Sequence, residues 1–182
     1  STGCSYKREI ESMVNVLKQA RKFSLLHCIS IYPTPIHEAN LSRLDYLKSL
    51  INSVGLSDHS NYEKDELSIL KWSVCKGIDF VERHFTILDK GETKDGVVSL
   101  NPEQMKKAVE ICQWNDSEKS SFIKNNKDLE SIYMGNPNRE LSDVELLNRD
   151  YYQGRFASKS LSDEWIFNWD RNFKFDQIKH AI

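Results

Sequence analysis

Apolar residues switch period back and forth along the first 115 residues, and that switching limits what the chain can fold into. Segment 6–22 carries Ile10, Met13, Val14, Leu17 and Ala20 at helical spacing, with Ser5 expected as the N-cap. The apolar run from Phe23 to Ser30 suits a buried strand, closed off by Pro33 and Pro35. Asn40 is placed to cap a second helix with Leu41, Leu44, Leu47 and Ile51 on its face. Val54 to Ser57 predicts a very short strand. A third helix is expected over about 64–76, with Gly77 at its C-terminal cap. Ile78 to Phe85 reads as a strand. After a loop with Gly91 and Gly96, Asn101 and Pro102 open a fourth helix bearing Met105, Ala108, Val109 and Cys112.

Alternation with short connections means parallel βα units. The strand-end serines Ser30 and Ser57 are 27 positions apart, and the histidines His59 and His84 are 25 apart. A (β/α)8 barrel of about 250 residues gives each unit roughly 31, so 115 residues hold just under four. The expected fold is therefore α/β, with parallel βα units making half of a (β/α)8 TIM barrel over 1–115. A half-wound Rossmann-like sheet is the alternative, but no glycine-rich phosphate loop follows any strand. From 116 the composition turns polar and irregular, with a short helix expected at 142–149. Residues 116–182 read as a partly helical extension whose aromatic residues pack on something else.

Composition removes several function classes. There are 25 basic and 27 acidic residues, for a net charge of −2, which argues against a nucleic-acid binder built on a basic face. No apolar run approaches the roughly 20 residues of a membrane span. Cys4, Cys28, Cys75 and Cys112 share no CxxC spacing, so neither a zinc knuckle nor a disulfide scaffold is indicated. Reduced thiols in a cytoplasm are the expectation. The chain opens on Ser1-Thr2-Gly3 and goes straight into a helix signal, which reads as a cut inside a larger protein.

Polar residues gather where the strands end: Ser30 with Tyr32, then Ser57-Asp58-His59, then Glu82 with His84. That end of a barrel is where active sites sit. Glu82 and His84 are two apart and so point to one side of their strand. Two imidazoles on adjacent strands, with carboxylates beside them, can hold a divalent ion. Such a mixed nitrogen and oxygen set suits Mn²⁺, Fe²⁺, Co²⁺ or Zn²⁺ better than Ca²⁺. Each residue also has a plainer reading. His59 could cap a helix, Ser57-Asp58 could be a turn, and Glu82 with His84 could be a satisfied buried pair. Two histidines at successive strand ends, each next to an acid, favour a site. His27 is expected as a packed, hydrogen-bonded core residue, His37 and His180 as surface residues, and the cysteines as core or helix-face fillers. Trp165 and Trp169 are expected to anchor a helix face.

Five motifs occur in register: Ser1-Thr2-Gly3; Leu25-Leu26-His27-Cys28 with Ile31-Tyr32-Pro33-Thr34-Pro35; Gly55-Leu56-Ser57-Asp58-His59-Ser60; Glu82-Arg83-His84-Phe85-Thr86; and Asp95-Gly96 followed by Ser99-Leu100. Together they closely resemble the sialic acid synthases, the N-acetylneuraminate synthase family, over about residues 1–112. The resemblance implies the C-terminal half of a (β/α)8 barrel. It also implies condensation of phosphoenolpyruvate with N-acetylmannosamine or a related N-acetylated amino sugar, using a divalent metal, commonly Mn²⁺. It places the metal on His59 and His84, phosphoenolpyruvate near Ser1 and Ser57, and Tyr32, Glu82 and Asp95 around the sugar and the reacting centre. Ser30 stands where these synthases often carry Asn, at a sugar contact. A homodimer is implied for the complete enzyme, and this stretch alone is expected to be inactive. The first four strands and the small antifreeze-like domain, which lends an Arg to the partner's sugar site, have no counterpart here. The tail from Leu147 to Phe156 resembles a divergent branch of the family. The aromatics of residues 133–175 are expected to lie along the barrel helices or a second subunit, with Arg149 and Arg155 either reaching the sugar pocket or only pairing with Asp143, Glu145 or Asp150. A synthase of another 3-deoxy-sugar acid, or a non-catalytic sugar- or metal-binding relative, are the rival readings.

Overall fold

Three short strands, β1 (Leu25–Cys28), β2 (Val54–Asp58) and β3 (Phe80–Arg83), pair in parallel in the order β1-β2-β3. They are seen in a computed structural model that describes residues 1–153 and 157–167. Side chains alternate across each strand, so the register sorts residues onto two faces. Leu25, Val54 and Leu56 enter an apolar core with Ile10 and Val14 of helix α1 (Lys7–Leu17), Leu44 and Leu47 of α2 (Arg43–Leu50), and Trp72 of α4 (Ser68–Cys75). His27 joins this face, 1% exposed, with Nε2 2.7 Å from the Ala39 carbonyl oxygen, as expected for a packed core histidine. The other face carries Leu26, Cys28, Gly55, Ser57, Phe80 and Glu82, and Phe80 remains half exposed there.

The fourth βα unit keeps its helix and almost loses its strand. Leu100 makes a single parallel bridge to Phe85, with Leu100 N–H on the His84 carbonyl (2.8 Å) and Thr86 N–H on the Leu100 carbonyl (3.0 Å). Helix α5 (Pro102–Cys112) begins where the sequence placed it. Asn101 Oδ1 accepts the Gln104 N–H, Gln104 Oε1 accepts the Asn101 N–H, and Pro102 fills the first turn. Ala108 and Ile111 then pack with Leu67, Leu70, Val74 and Leu100 in a second apolar cluster.

Three helices differ from expectation. Helix α2 begins at Arg43 after Ser42, and Asn40, expected as its cap, is left-handed at φ 45° with its side-chain amide on the Glu38 carbonyl and the Asn136 N–H. Helix α1 stops at Leu17 and starts after Tyr6, whose N–H is taken by Glu9 Oε2 at 2.8 Å. The third helix divides into α3 (Tyr62–Asp65) and α4, because Glu66 and Leu67 are left-handed at φ 48° and 63°. Asp65 reaches across this break, and its Oδ1 accepts the Ile69 N–H at 3.2 Å, capping α4. Hydrophobic period alone does not reveal a break made by one carboxylate.

The chain divides into two compact units, Ser1–Glu140 and Leu141–Ile182. The first reaches past the expected boundary at residue 115, because α6 (Asp116–Asn125) and α7 (Glu130–Met134) pack back onto it. Phe122 and Tyr133 stack around Trp72, with ring centroids 5.1 and 6.0 Å away. The end of α7 is sewn to residues 40–42. Leu41 N–H bonds the Tyr133 carbonyl (2.9 Å), Ser42 Oγ bonds the Met134 carbonyl (2.6 Å), and Asn40 Oδ1 accepts the Asn136 N–H (3.0 Å).

The second unit holds α8 (Asp143–Gln153) and a hairpin of β4 (Ala157–Lys159) and β5 (Trp165–Phe167); the helix was expected, but Trp165, expected on a helix face, opens a strand instead. Its turn has no glycine; Asp163 takes φ 64°, and Ser160 Oγ accepts the Glu164 N–H at 3.1 Å. Tyr151, Tyr152 and Trp165 are more than half exposed. Arg155, Phe156, Trp169, Phe173, Phe175 and His180 lie outside the described residues. No helix among the described residues is long and apolar enough to cross a membrane.

Gly55 is where β2 and its neighbours come closest. A Cβ there would lie 2.5 Å from Leu26 Cδ2 and 2.5 Å from the Phe80 carbonyl oxygen, so β3 would have to shift. Gly55→Ala is expected to cost about 1–3 kcal/mol in urea denaturation, the usual range for overpacking. A loss within about 0.5 kcal/mol, the size of an ordinary surface change, would contradict this.

Candidate active site

The last residues of β2 and β3 point alternately to the two faces of the sheet, and the chemistry divides with them. Ser57 faces Glu82 on the side turned away from the apolar core, and the buried Ser57 hydroxyl donates to Glu82 Oε1 at 2.6 Å. One step further along, the rings of His59 and His84 stand edge to face, 5.2 Å between centroids. His59 is buried, while the His84 side chain is about a third exposed, at 34%. Tyr32, half exposed, lies 4.0 Å from the His59 ring and 6.2 Å from that of His84.

Each imidazole has a neighbour at Nδ1. For His84 it is Asp95 Oδ2 at 3.6 Å, and for His59 it is Cys28 Sγ at 3.8 Å. Cys28 Sγ is also 3.8 Å from Ser30 Oγ. Ser1 is exposed, at the head of a segment that runs beside β1. The Thr2 N–H and hydroxyl both bond the Leu26 carbonyl, and a Cβ on Gly3 would lie 2.3 Å from Ser30 Oγ. Ser30, Tyr32, Ser57, His59, Glu82, His84 and Asp95 thus share one patch, and the segment that begins at Ser1 meets it through Gly3, beside Ser30.

One expectation fails. Asp58 was expected to offer a carboxylate beside the histidines, but strand alternation turns it to the opposite face. There its Oδ2 meets Arg83 Nη1 at 2.5 Å, with the two side chains 2% and 4% exposed. Two residues were passed over. Cys28, expected as a filler, sits against His59; its place two residues before Ser30, on the same face of the strand, is a legible signal. Arg83 stands between Glu82 and His84, and alternation sends it to meet Asp58.

Burial governs the charge states. Burial, with the positive charge of His84 next, lowers the His59 pKa to about 4 against the pull of Asp58, so the ring is neutral at neutral pH. Burial, with Asp58 next, raises Asp65 to about 6, against hydrogen bonds from Ile69 and Ser60 and the charge of Arg83. Neutral imidazole is the form that ligates metals. With Nδ1 turned to Asp95 or Cys28, Nε2 is the ligating atom each ring can offer. Among the described residues no group of three or more His, Cys, Asp and Glu side chains is set to hold a metal, so this chain offers two histidines and no complete cage.

A parallel βα sheet with its polar residues gathered at the C-terminal strand ends has the architecture of a βα-barrel enzyme face. The chain belongs to the NeuB family, whose model matches residues 1–121. It is 29% identical to a pseudaminic acid synthase of Campylobacter jejuni, over 92% of this chain and 44% of that protein. An N-acetylneuraminic acid (sialic acid) synthetase from Leptospira borgpetersenii serovar Hardjo-bovis matches at TM-score 0.54 and 28% identity, over 82% of this chain and 46% of that one. A spore coat polysaccharide biosynthesis protein of Bacillus subtilis shares the fold at TM-score 0.65 and 19% identity, over 91% of this chain and 48% of that one. The chain spans from 28% to 44% of the length of the curated relatives it matches. The family resemblance and the half-barrel fold read from the motifs both hold.

Asp65 and His59 oppose each other in acid. A buried acid with a raised pKa is most stabilising when protonated, so the Asp65 contribution falls as pH rises from about 4 to 6. A histidine with a lowered pKa does the reverse, and its contribution grows as pH rises from about 4 to 6.5. In Asp65→Asn the His59 contribution is unopposed. Stability should then climb more steeply with pH than in the unaltered chain, by about 2–3 kcal/mol across that interval. Parallel pH profiles from denaturant titration would contradict the assignment.

Proposed function

We propose that this chain supplies the C-terminal half of the catalytic barrel of a nonulosonic acid synthase. The reaction is the condensation of phosphoenolpyruvate with N-acetylmannosamine or a related N-acetylated amino sugar, a C–C bond-forming transfer in carbohydrate biosynthesis, carried out in the cytoplasm by a homodimer. The observation that carries this reading is the pairing of His59 with His84 at neighbouring strand ends, two residues beyond the hydrogen-bonded Ser57 and Glu82. Membership of the NeuB family supports it.

His59 and His84 would hold a divalent metal, commonly Mn²⁺, together with donors from the rest of the site. Such an ion supplies Lewis-acid polarisation of the sugar aldehyde and a common anchor for both substrates. The protein groups do the remaining work. Asp95 and Cys28, each near Nδ1 of one ring, would orient His84 and His59. The hydroxyls of Ser1 and Ser57 bind the phosphate and carboxylate of phosphoenolpyruvate. Tyr32 and Ser30 face the sugar. Glu82, already accepting the Ser57 proton, is placed to take a proton from the attacking water.

In the complete protein, His59→Ala or His84→Ala should abolish metal-dependent condensation and leave the fold intact by circular dichroism. Glu82→Gln should lower kcat by about 10²–10⁴ with little change in KM, the usual span for a general acid–base group. Full activity in His84→Ala would remove the assignment.

A further inference from the structure

Behind the sheet, facing away from the histidines, lies a buried polar cluster that the reaction does not use. Arg83 Nη1 meets Asp58 Oδ2 at 2.5 Å and Ser60 Oγ at 2.9 Å, and Arg83 Nη2 donates to the Ser60 carbonyl at 2.5 Å. Asp58 Oδ1 accepts the Ser60 N–H at 2.8 Å, and the Ser60 hydroxyl donates to Asp65 Oδ2 at 3.0 Å. From the neighbouring strand end, the Thr34 N–H holds the His59 carbonyl at 2.9 Å. The peptide joining His59 to Ser60 is therefore gripped at each end. The carboxylate takes its N–H, and Thr34 takes its carbonyl, while the guanidinium of β3 holds the next carbonyl along.

We infer that Asp58 and Arg83 form a clamp that sets the placement of His59 against His84, making both of them positioning residues for the histidine pair. Register places Asp58 opposite Arg83, one residue before each histidine, so whatever fixes this pair fixes the spacing of the rings on the other face. A buried ion pair is weak evidence of stabilisation, because two charges have been taken out of water, and such pairs can often be replaced by uncharged residues without loss of stability. What an uncharged pair cannot supply is the forked grip on Ser60. A lysine at 83 keeps the charge but brings a point donor in place of a planar fork. The meaning of the clamp for catalysis rests on the reading of the histidine pair as the reacting centre. Its effect on histidine placement does not, and can be measured without metal, substrate or turnover.

The test is residue-resolved carbethoxylation of the complete protein with diethyl pyrocarbonate, read by peptide mass spectrometry. Exposed His37 is the fast reference and buried His27 the control for general opening. Tm and the emission of buried Trp72 report the core. In Asp58→Asn/Arg83→Met the carbethoxylation rate of His59 should rise about tenfold or more toward that of His37, while His27, Trp72 emission and Tm hold. Arg83→Lys should raise the His59 rate by a smaller factor at unchanged Tm, and it decides the matter if the double variant does not fold. An unchanged His59 rate in Arg83→Lys would overturn the inference. So would a rise in which His27 becomes reactive and Tm falls in step, because the pair would then be holding the fold and not the histidine.

Discussion

Parallel register between β2 and β3 sets Ser57 opposite Glu82 and Asp58 opposite Arg83. Because side chains alternate, this one alignment sends hydroxyl, carboxylate and both imidazoles to one face and a buried ion pair to the other. A slip of one residue would turn every one of these groups around. At Gly55 the strands come close enough that a Cβ would collide with Leu26 and with the Phe80 carbonyl. The helices contribute to the site at a distance, by burying Val54 and Leu56 from the far side.

The sequence makes the strands and most helices legible because their signals are local. Pro102 behind Asn101 marks the start of α5, and the run from Leu25 to Cys28 can hardly be anything but a buried strand. The patch was legible too, since residues two apart on a strand share a face and strand-end histidines recur at the βα period. What escaped the sequence depends on contacts between distant residues. The break at Glu66 and Leu67 is set by the side chain of Asp65, and the Asp58–Arg83 pair needs two strands to meet. The packing of α6 and α7 on Trp72 is a matter of long-range fit, so the sequence, which reads 116–182 as partly helical, does not mark where these two helices lie. The hairpin of β4 and β5 lacks the glycine that usually betrays such a turn.

The face turned away from the apolar core gives these residues their setting. Phe80 and Glu82 are exposed on it, and Ser57 and His59 are buried. Two imidazoles held neutral or near a carboxylate make an incomplete donor set, and a family in which this stretch spans less than half the chain supplies a reason for that.

The central claim is that His59 and His84 together mark the reacting centre. The direct measurement is an anomalous difference map from crystals of the complete protein grown with Mn²⁺ and collected near the manganese edge. A single peak at bonding distance, about 2.0–2.3 Å, from Nε2 of both His59 and His84 is the result this account predicts. A peak bound elsewhere, or none near either ring at saturating Mn²⁺, would contradict it.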